Sequence, residues 1–243
     1  MGGFEFMNRF LVIVALLLGQ GFLLHGVTAG TRVLEGQPVA NPVTVEPLKA
    51  PGDPVSLVLD DGSVDNSIGI GGNSEFIFLN RFTPAEFPLQ LTEIQVYFAG
   101  DSTGLVVGDP IDVYVWENTA GNADPAVGAT YLGGESSTIA VLDDWTTVML
   151  STPIQCNGPG GDVLVAVVHR VTGTSTYPAD LDTTASQGRS WIGWYTATNV
   201  PDPPTLPPDY TWVTIDTLGL AGNWLLRAGG SVVPVELMSF TIR

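Results

Sequence analysis

LTEIQVYF (Leu91–Phe98) and PIDVYVWE (Pro110–Glu117) decide the class of fold. In the first, Ile94, Val96 and Phe98 alternate with Glu93, Gln95 and Tyr97. In the second, Ile111, Val113 and Val115 alternate with Asp112, Tyr114 and Trp116. Successive side chains of a strand point to opposite sides of its sheet, so this period of two describes strands with one apolar and one polar face. The intervening AGDSTGLVVGD is rich in turn formers, and the two strands are therefore expected to be antiparallel neighbours in one sheet. An all-β domain with one wet face follows.

Working outward, VSLVLD, SEFIFLNRF, ATYLGGESSTIAV, WTTVMLS, DVLVAVVHR, RSWIGWYT, TWVTIDTLG and NWLLRAGG read as further strands, bringing the total to about ten at the short spacing of a sandwich or barrel. The expected fold is all-β, an antiparallel two-sheet β-sandwich of jelly-roll type, with no substantial helix. Val163 to Val168 is apolar at every position, which marks the most buried strand. SEFIFLNRF is apolar on both faces, as a strand covered by a second layer or loop must be. Two insertions stand out: the polar connection Thr172 to Gly188, and NVPDPPTLPPD (Asn199–Asp209), whose five prolines impose an extended surface course, as a binding loop or a rigid cover.

The chain ends read differently. Residues 1–29 carry Arg9, a long apolar run and Val27-Thr28-Ala29, the pattern of a secretory signal cleaved after Ala29. Residues 30–54 form a Pro-rich extended arm or linker, 55–230 the sandwich, and 231–243 a C-terminal strand or tail. Mature protein is expected to be secreted or held at the cell surface, with no membrane contact after cleavage. The formal charge of -17, from 25 acidic against 8 basic residues, repels nucleic acid and anionic lipid. A single cysteine, Cys156, excludes an intrachain disulfide and any site needing several Cys ligands.

Motifs for chemistry are sparse. GDSTG (Gly100–Gly104) has the form of a nucleophile elbow, but it joins two strands where that motif needs a strand-to-helix turn. The one histidine beyond the signal segment, His169, ends the most buried strand and reads as structural. No catalytic residue is assigned. For Ca²⁺, DDGSVDN offers Asp60, Asp61 and Asp65, and ENTAGNADP offers Glu117, Asn118, Asn122 and Asp124. The first group is the stronger ligand set, since hard-ion affinity rises with ligand charge, and ordinary Asx turns compete with it. Aromatic residues supply candidate ligand contacts: Tyr97, Tyr114 and Trp116 on the outer face of the central pair, and Trp194 and Tyr195 in RSWIGWYT. Trp191 and Tyr195 share a face across Gly193, which leaves a gap between their rings. Trp191 is expected in the core and Trp194 partly exposed.

The pieces DDG near Asp60, FLNRFTP, VGDPIDVYVWENT, NGPGGDVLVAVVHR, TASQGRSWIG and GNWLLRAGG resemble an uncharacterised β-sandwich domain of secreted bacterial proteins, often appended to extracellular proteases. VVPVELMSFTIR is similar to the PVEL-x-SF stretch that precedes C-terminal sorting modules. The resemblance implies a domain type and not an activity. Where relatives carry an acidic D-x-D-G-D-type loop, this chain has ENTAGNADP, with fewer carboxylates for a cation. The resulting expectation is a secreted, non-catalytic accessory or adhesion-like domain. The alternatives are a carbohydrate-binding module contacting polysaccharide, and a subunit of an extracellular assembly that joins other proteins or itself by strand addition.

Overall fold

The computed structural model describes residues 50–70, 74–100, 102–171 and 176–234, all within one unit, Glu46–Arg243. The segment expected to be a secretory signal, most of the Pro-rich arm and the end of the C-terminal tail lie outside the described residues. Among those described, no helix is long and apolar enough to cross a membrane.

The alternation of the two deciding segments is realised residue by residue. Ile94, Val96, Phe98, Ile111, Val113 and Val115 are all sealed from solvent in one core. Their relation differs from the expectation, however, because the two strands lie in opposite sheets. One sheet has four strands in the order β1 (Pro54–Leu57), β13 (Leu226–Val232), β4 (Leu89–Phe98) and β7 (Asp144–Cys156). The other has six: β11 (Thr211–Thr214), β10 (Ser190–Trp194), β3 (Ile77–Phe82), β8 (Asp162–His169), β5 (Pro110–Asn118) and β6 (Thr130–Thr138). Every pairing is antiparallel. The segment after β4 crosses from one sheet to the other and is tied down at its start: Ala99 N–H donates to Asp180 and Gly100 N–H to Asp143. The apolar faces of β4 and β5 thus meet across the sandwich, which buries both, as side-by-side pairing alone would not. The connections after β3, β4, β6 and β7 all change sheets, giving the β-sandwich of jelly-roll type.

A third, small sheet joins β2 (Asn66–Ile68), β9 (Ala179–Asp182) and β12 (Asn223–Trp224). Its first two strands lie in stretches that read as polar turns. They form because the carboxylates there are matched inside the protein. Buried Asp180 accepts from Ser67 Oγ and from Ala99 N–H, and buried Asp182 accepts from Asp61 N–H and Thr184 N–H.

The central strands of the six-stranded sheet are apolar on both sides. Along β8, Val163, Val165 and Val167 face the main core. Leu164, Ala166 and Val168 face a second one with Ile77, Leu79, Tyr114 and Trp116. The proline-rich segment 199–209 covers that second core, with Val200 buried and Leu206 packed against it. Arg170 latches the cover: its guanidinium donates to Glu75 at 2.7 Å, Asp112 at 2.6 Å, the Tyr114 hydroxyl at 2.6 Å and the Val200 carbonyl at 2.7 Å. Glu75 also accepts from Val200 N–H. Burial and the partner carboxylates act in opposite senses on Arg170, and the carboxylates prevail, holding its pKa above the ordinary range.

Between the main sheets sits one polar staple. Fully buried Asn80 on β3 donates to the carbonyls of Trp224 at 3.0 Å and Leu226 at 2.9 Å, and accepts from Ser190 Oγ at 2.7 Å. Every polar atom of its amide group is therefore matched, as a buried amide requires.

Candidate functional site

Among the described residues the outer face of the four-stranded sheet has no such cover, and the strands assemble a set of polar and aromatic side chains there. The outward positions of β4 are Glu93, Gln95 and Tyr97, all half-buried. On one side β7 places Trp145 opposite Tyr97, Thr147 opposite Gln95 and Met149 opposite Glu93. On the other, β13 places Arg227 opposite Gln95 and Gly229 opposite Glu93. Tyr97 and Trp145 pack edge to face with ring centroids 5.7 Å apart. The Arg227 guanidinium sits 4.0 Å from the Trp145 ring centre and donates through Nε and Nη2 to buried Asp60. Ring and carboxylate together brace Arg227 in place.

Beside that brace, Gln95 Nε2 donates to Glu93 Oε1 at 3.2 Å, and the Glu93 side chain lies across Gly229. A Cβ at position 229 would come within 2.8 Å of Glu93 Oε1, so glycine there lets the carboxylate lie flat along the sheet. Asp143 and Asp144 stand exposed at the Tyr97 end. Partial burial, then the negative charge of Asp143, Asp180 and Asp144, pushes the Tyr97 phenol up, so it stays a neutral donor. Met149, 62% exposed, and exposed Thr147 complete the face.

The other expected aromatic contacts are placed differently. Tyr114 and Trp116 do occupy the outer face of β5, but they are only 3% exposed, under the proline-rich cover. Tyr195 is buried in the same second core, with its hydroxyl donating to the Thr205 carbonyl and its pKa pushed up to about 12 by burial. The gap at Gly193 is filled: a Cβ there would meet Pro208 at 2.6 Å and Trp212 at 2.8 Å. Trp191 and Tyr195 do share a face, and Trp191 stacks on Trp212 at 5.1 Å, half-buried at the edge of the second core. Trp194, half-buried on the opposite side, packs on the main core beside exposed Tyr210. Of the aromatic set, Tyr97 alone lies on the uncovered face.

The carboxylates of the Asp60 stretch are each engaged separately. Asp60 pairs with Arg227, Asp61 closes an Asx turn onto Ser63, and Asp65 accepts from Thr183 N–H and Oγ1. The Ser63 bonds hold the Asp61 pKa below the usual carboxylate range. In the Glu117 to Asp124 loop, the buried amide of Asn118 donates to the carbonyls of Pro125 and Val127, where a cation would otherwise gather such oxygens. Among the described residues, no group of three or more His, Cys, Asp or Glu side chains is arranged to hold a metal ion.

Ser102 and His169 do not form a nucleophile and base pair. Ser102 is exposed, with φ 63°, while His169 is 4% exposed and its Nε2 lies 3.2 Å from Asp109. Burial lowers the His169 pKa against the opposing pull of Asp109. Cys156 is buried, and burial pushes its thiol up to about 12, far from a reactive thiolate.

No protein-family model matches the chain, and no curated protein matches it in sequence. Trp145, Arg227, Glu93 and Gln95 were not among the residues singled out from sequence. The alternation of WTTVMLS does carry a signal for Trp145, which shares parity with exposed Thr147 and Met149.

Proposed function

We propose that this chain is a secreted, non-catalytic accessory or adhesion-like β-sandwich of a bacterial extracellular protein, and that the uncovered face of its four-stranded sheet is the surface by which it binds. One observation carries the reading: the two sheets are treated unequally. The six-stranded sheet is sealed by a latched cover with its own apolar core, whereas the four-stranded sheet keeps Tyr97, Trp145, Arg227, Glu93, Gln95 and Met149 at the surface. Exposed residues held by a rigid scaffold are the usual carriers of recognition. The non-catalytic part is supported by the engagement of the groups that could do acid–base or nucleophilic chemistry. His169 is buried against Asp109, Cys156 is a buried thiol, and Arg170 and Asp162 sit in ion pairs.

The alternative of carbohydrate binding is favoured by the braced aromatic pair on this face. To test the general reading, full-length chain is incubated with intact bacterial cells and with particulate polysaccharide, and the retained fraction is measured. Thr147→Asp/Met149→Asp alters two exposed positions and is expected to fold normally yet lose retention. Equal retention of the double variant, or turnover of ester or glycoside substrates, would overturn the reading.

A further inference from the structure

We infer that the ligand of this face is an uncharged polysaccharide chain; the inference rests on the reading just proposed and specifies its partner. The electrostatics separate three classes of ligand. Anionic polymers meet the wrong sign, because Glu93, Asp143 and Asp144 line the face and the only cation there among the described residues, Arg227, is already paired with Asp60. Cationic groups are drawn by the same carboxylates but find no open cation–π seat at Trp145, whose ring face Arg227 occupies at 4.0 Å. The mixed donors and acceptors of the face, set beside the Tyr97 ring, suit a neutral polyol.

Each element of the face has a counterpart in such a chain. Carboxylate oxygens of Glu93 accept from hydroxyl groups, and the Gln95 amide both donates and accepts. Arg227 uses Nε and Nη2 on Asp60, and among the described residues Nη1 has no protein acceptor, so it can donate to a hydroxyl or ring oxygen. Tyr97 offers ring surface to the C–H face of a sugar ring. The brace of Asp60 and Trp145 on Arg227 means these groups are held in position before binding, so little ordering is lost when a ligand arrives.

Extent matters as well. From the Tyr97 row to the Glu93 row is four residues along β4, about 13 Å of strand, and the platform spans β7, β4 and β13, about 10 Å across. It is an open surface longer than one sugar ring. An oligosaccharide is therefore expected to bind more tightly than its disaccharide, with weak affinity per unit.

The test is affinity electrophoresis of the full chain through gels containing soluble neutral polysaccharides (mixed-linkage β-glucan, xylan, galactomannan, dextran), with polygalacturonate and chitosan gels as charged arms. At least one neutral polymer is expected to retard the protein, and polygalacturonate is not. Tyr97→Ala and Gln95→Ala should each weaken that retardation at least tenfold while leaving the melting temperature nearly unchanged. Gln95→Ala guards against a loss of fold at the aromatic pair, since it removes no ring. Retardation by none of the neutral polymers, by chitosan alone, or undiminished in both variants would overturn the inference. If the chain is still retained on intact cells through this face while ignoring every neutral polymer, only the ligand class falls and the binding surface stands.

Discussion

Replacing Asn80 with Leu should be among the most damaging single changes in the protein, although the two side chains are close in size. The Asn80 amide, on the six-stranded sheet, reaches the carbonyls of Trp224 in the small sheet and Leu226 in the four-stranded sheet, and orients Ser190 Oγ, which in turn accepts from Trp224 N–H at 3.0 Å. Leucine removes three hydrogen bonds and leaves two carbonyls and a hydroxyl in a dry interior. A net hydrogen bond contributes about 1 kcal/mol, and each buried group left unmatched costs about 1–3 kcal/mol. With relaxation and the gain of apolar surface set against this, the expected loss is about 3–5 kcal/mol, a large share of the roughly 5–15 kcal/mol that holds a typical domain together. Urea unfolding followed by tryptophan fluorescence would read it as a shift in midpoint. Ser190→Ala should cost less alone, and the pair should cost less than the sum, because the two residues share one network. Asn80→Asp adds a sign test. Its ionised form puts acceptor against acceptor, so its deficit should shrink at acid pH, where a protonated carboxyl can donate again. A loss under about 1 kcal/mol for Asn80→Leu at unchanged urea dependence would refute the reasoning.

Other outcomes follow from buried charges. Burial raises the Asp180 pKa to about 6, so the folded state holds that proton more tightly than the unfolded chain between about pH 4 and 6. Stability from this group is therefore full in acid and falls by about 2–3 kcal/mol as pH rises through 6, a slope that Asp180→Asn should remove in paired titrations of unfolding free energy. Arg170→Met strips the partner from buried Glu75 and half-buried Asp112 and frees Val200. It should cost about 3–5 kcal/mol and expose 199–209 to limited proteolysis, read by mass spectrometry of the fragments. Because Asp60, Asp61 and Asp65 answer to separate partners, Ca²⁺ and chelator should give superimposable melting curves. A calcium-dependent rise would show that a site assembles after all.

The β4 and β5 segments were legible as strands because alternation reports which face each residue takes. Alternation is silent on which strand lies alongside, and the connection 99–109 is long enough to cross the sandwich, so the pairing was misread. Strand β8 announced two-sided burial in sequence, and 199–209 announced rigidity. That one covers the other depends on Arg170, Glu75 and Val200, which are far apart in the chain. β2 and β9 escaped notice because Asp180 and Asp182 look like turn residues until their partners are known. Likewise Tyr97 was visible as an outward aromatic, whereas the Arg227 that flanks its neighbour Trp145 comes from a strand near the other end of the chain.

The unequal treatment of the two sheets has a consequence for how such a protein can change over time. Outward substitutions on β3, β5, β8 or β10 strike a second core and are penalised by the fold itself. Outward substitutions on β4, β7 and β13 touch solvent, so residues such as Thr147 and Met149 can be exchanged with little effect on stability. Selection can therefore redraw the proposed binding surface on one side while the other side holds the structure constant. Such a domain can acquire new ligands without first acquiring extra stability to tolerate the search.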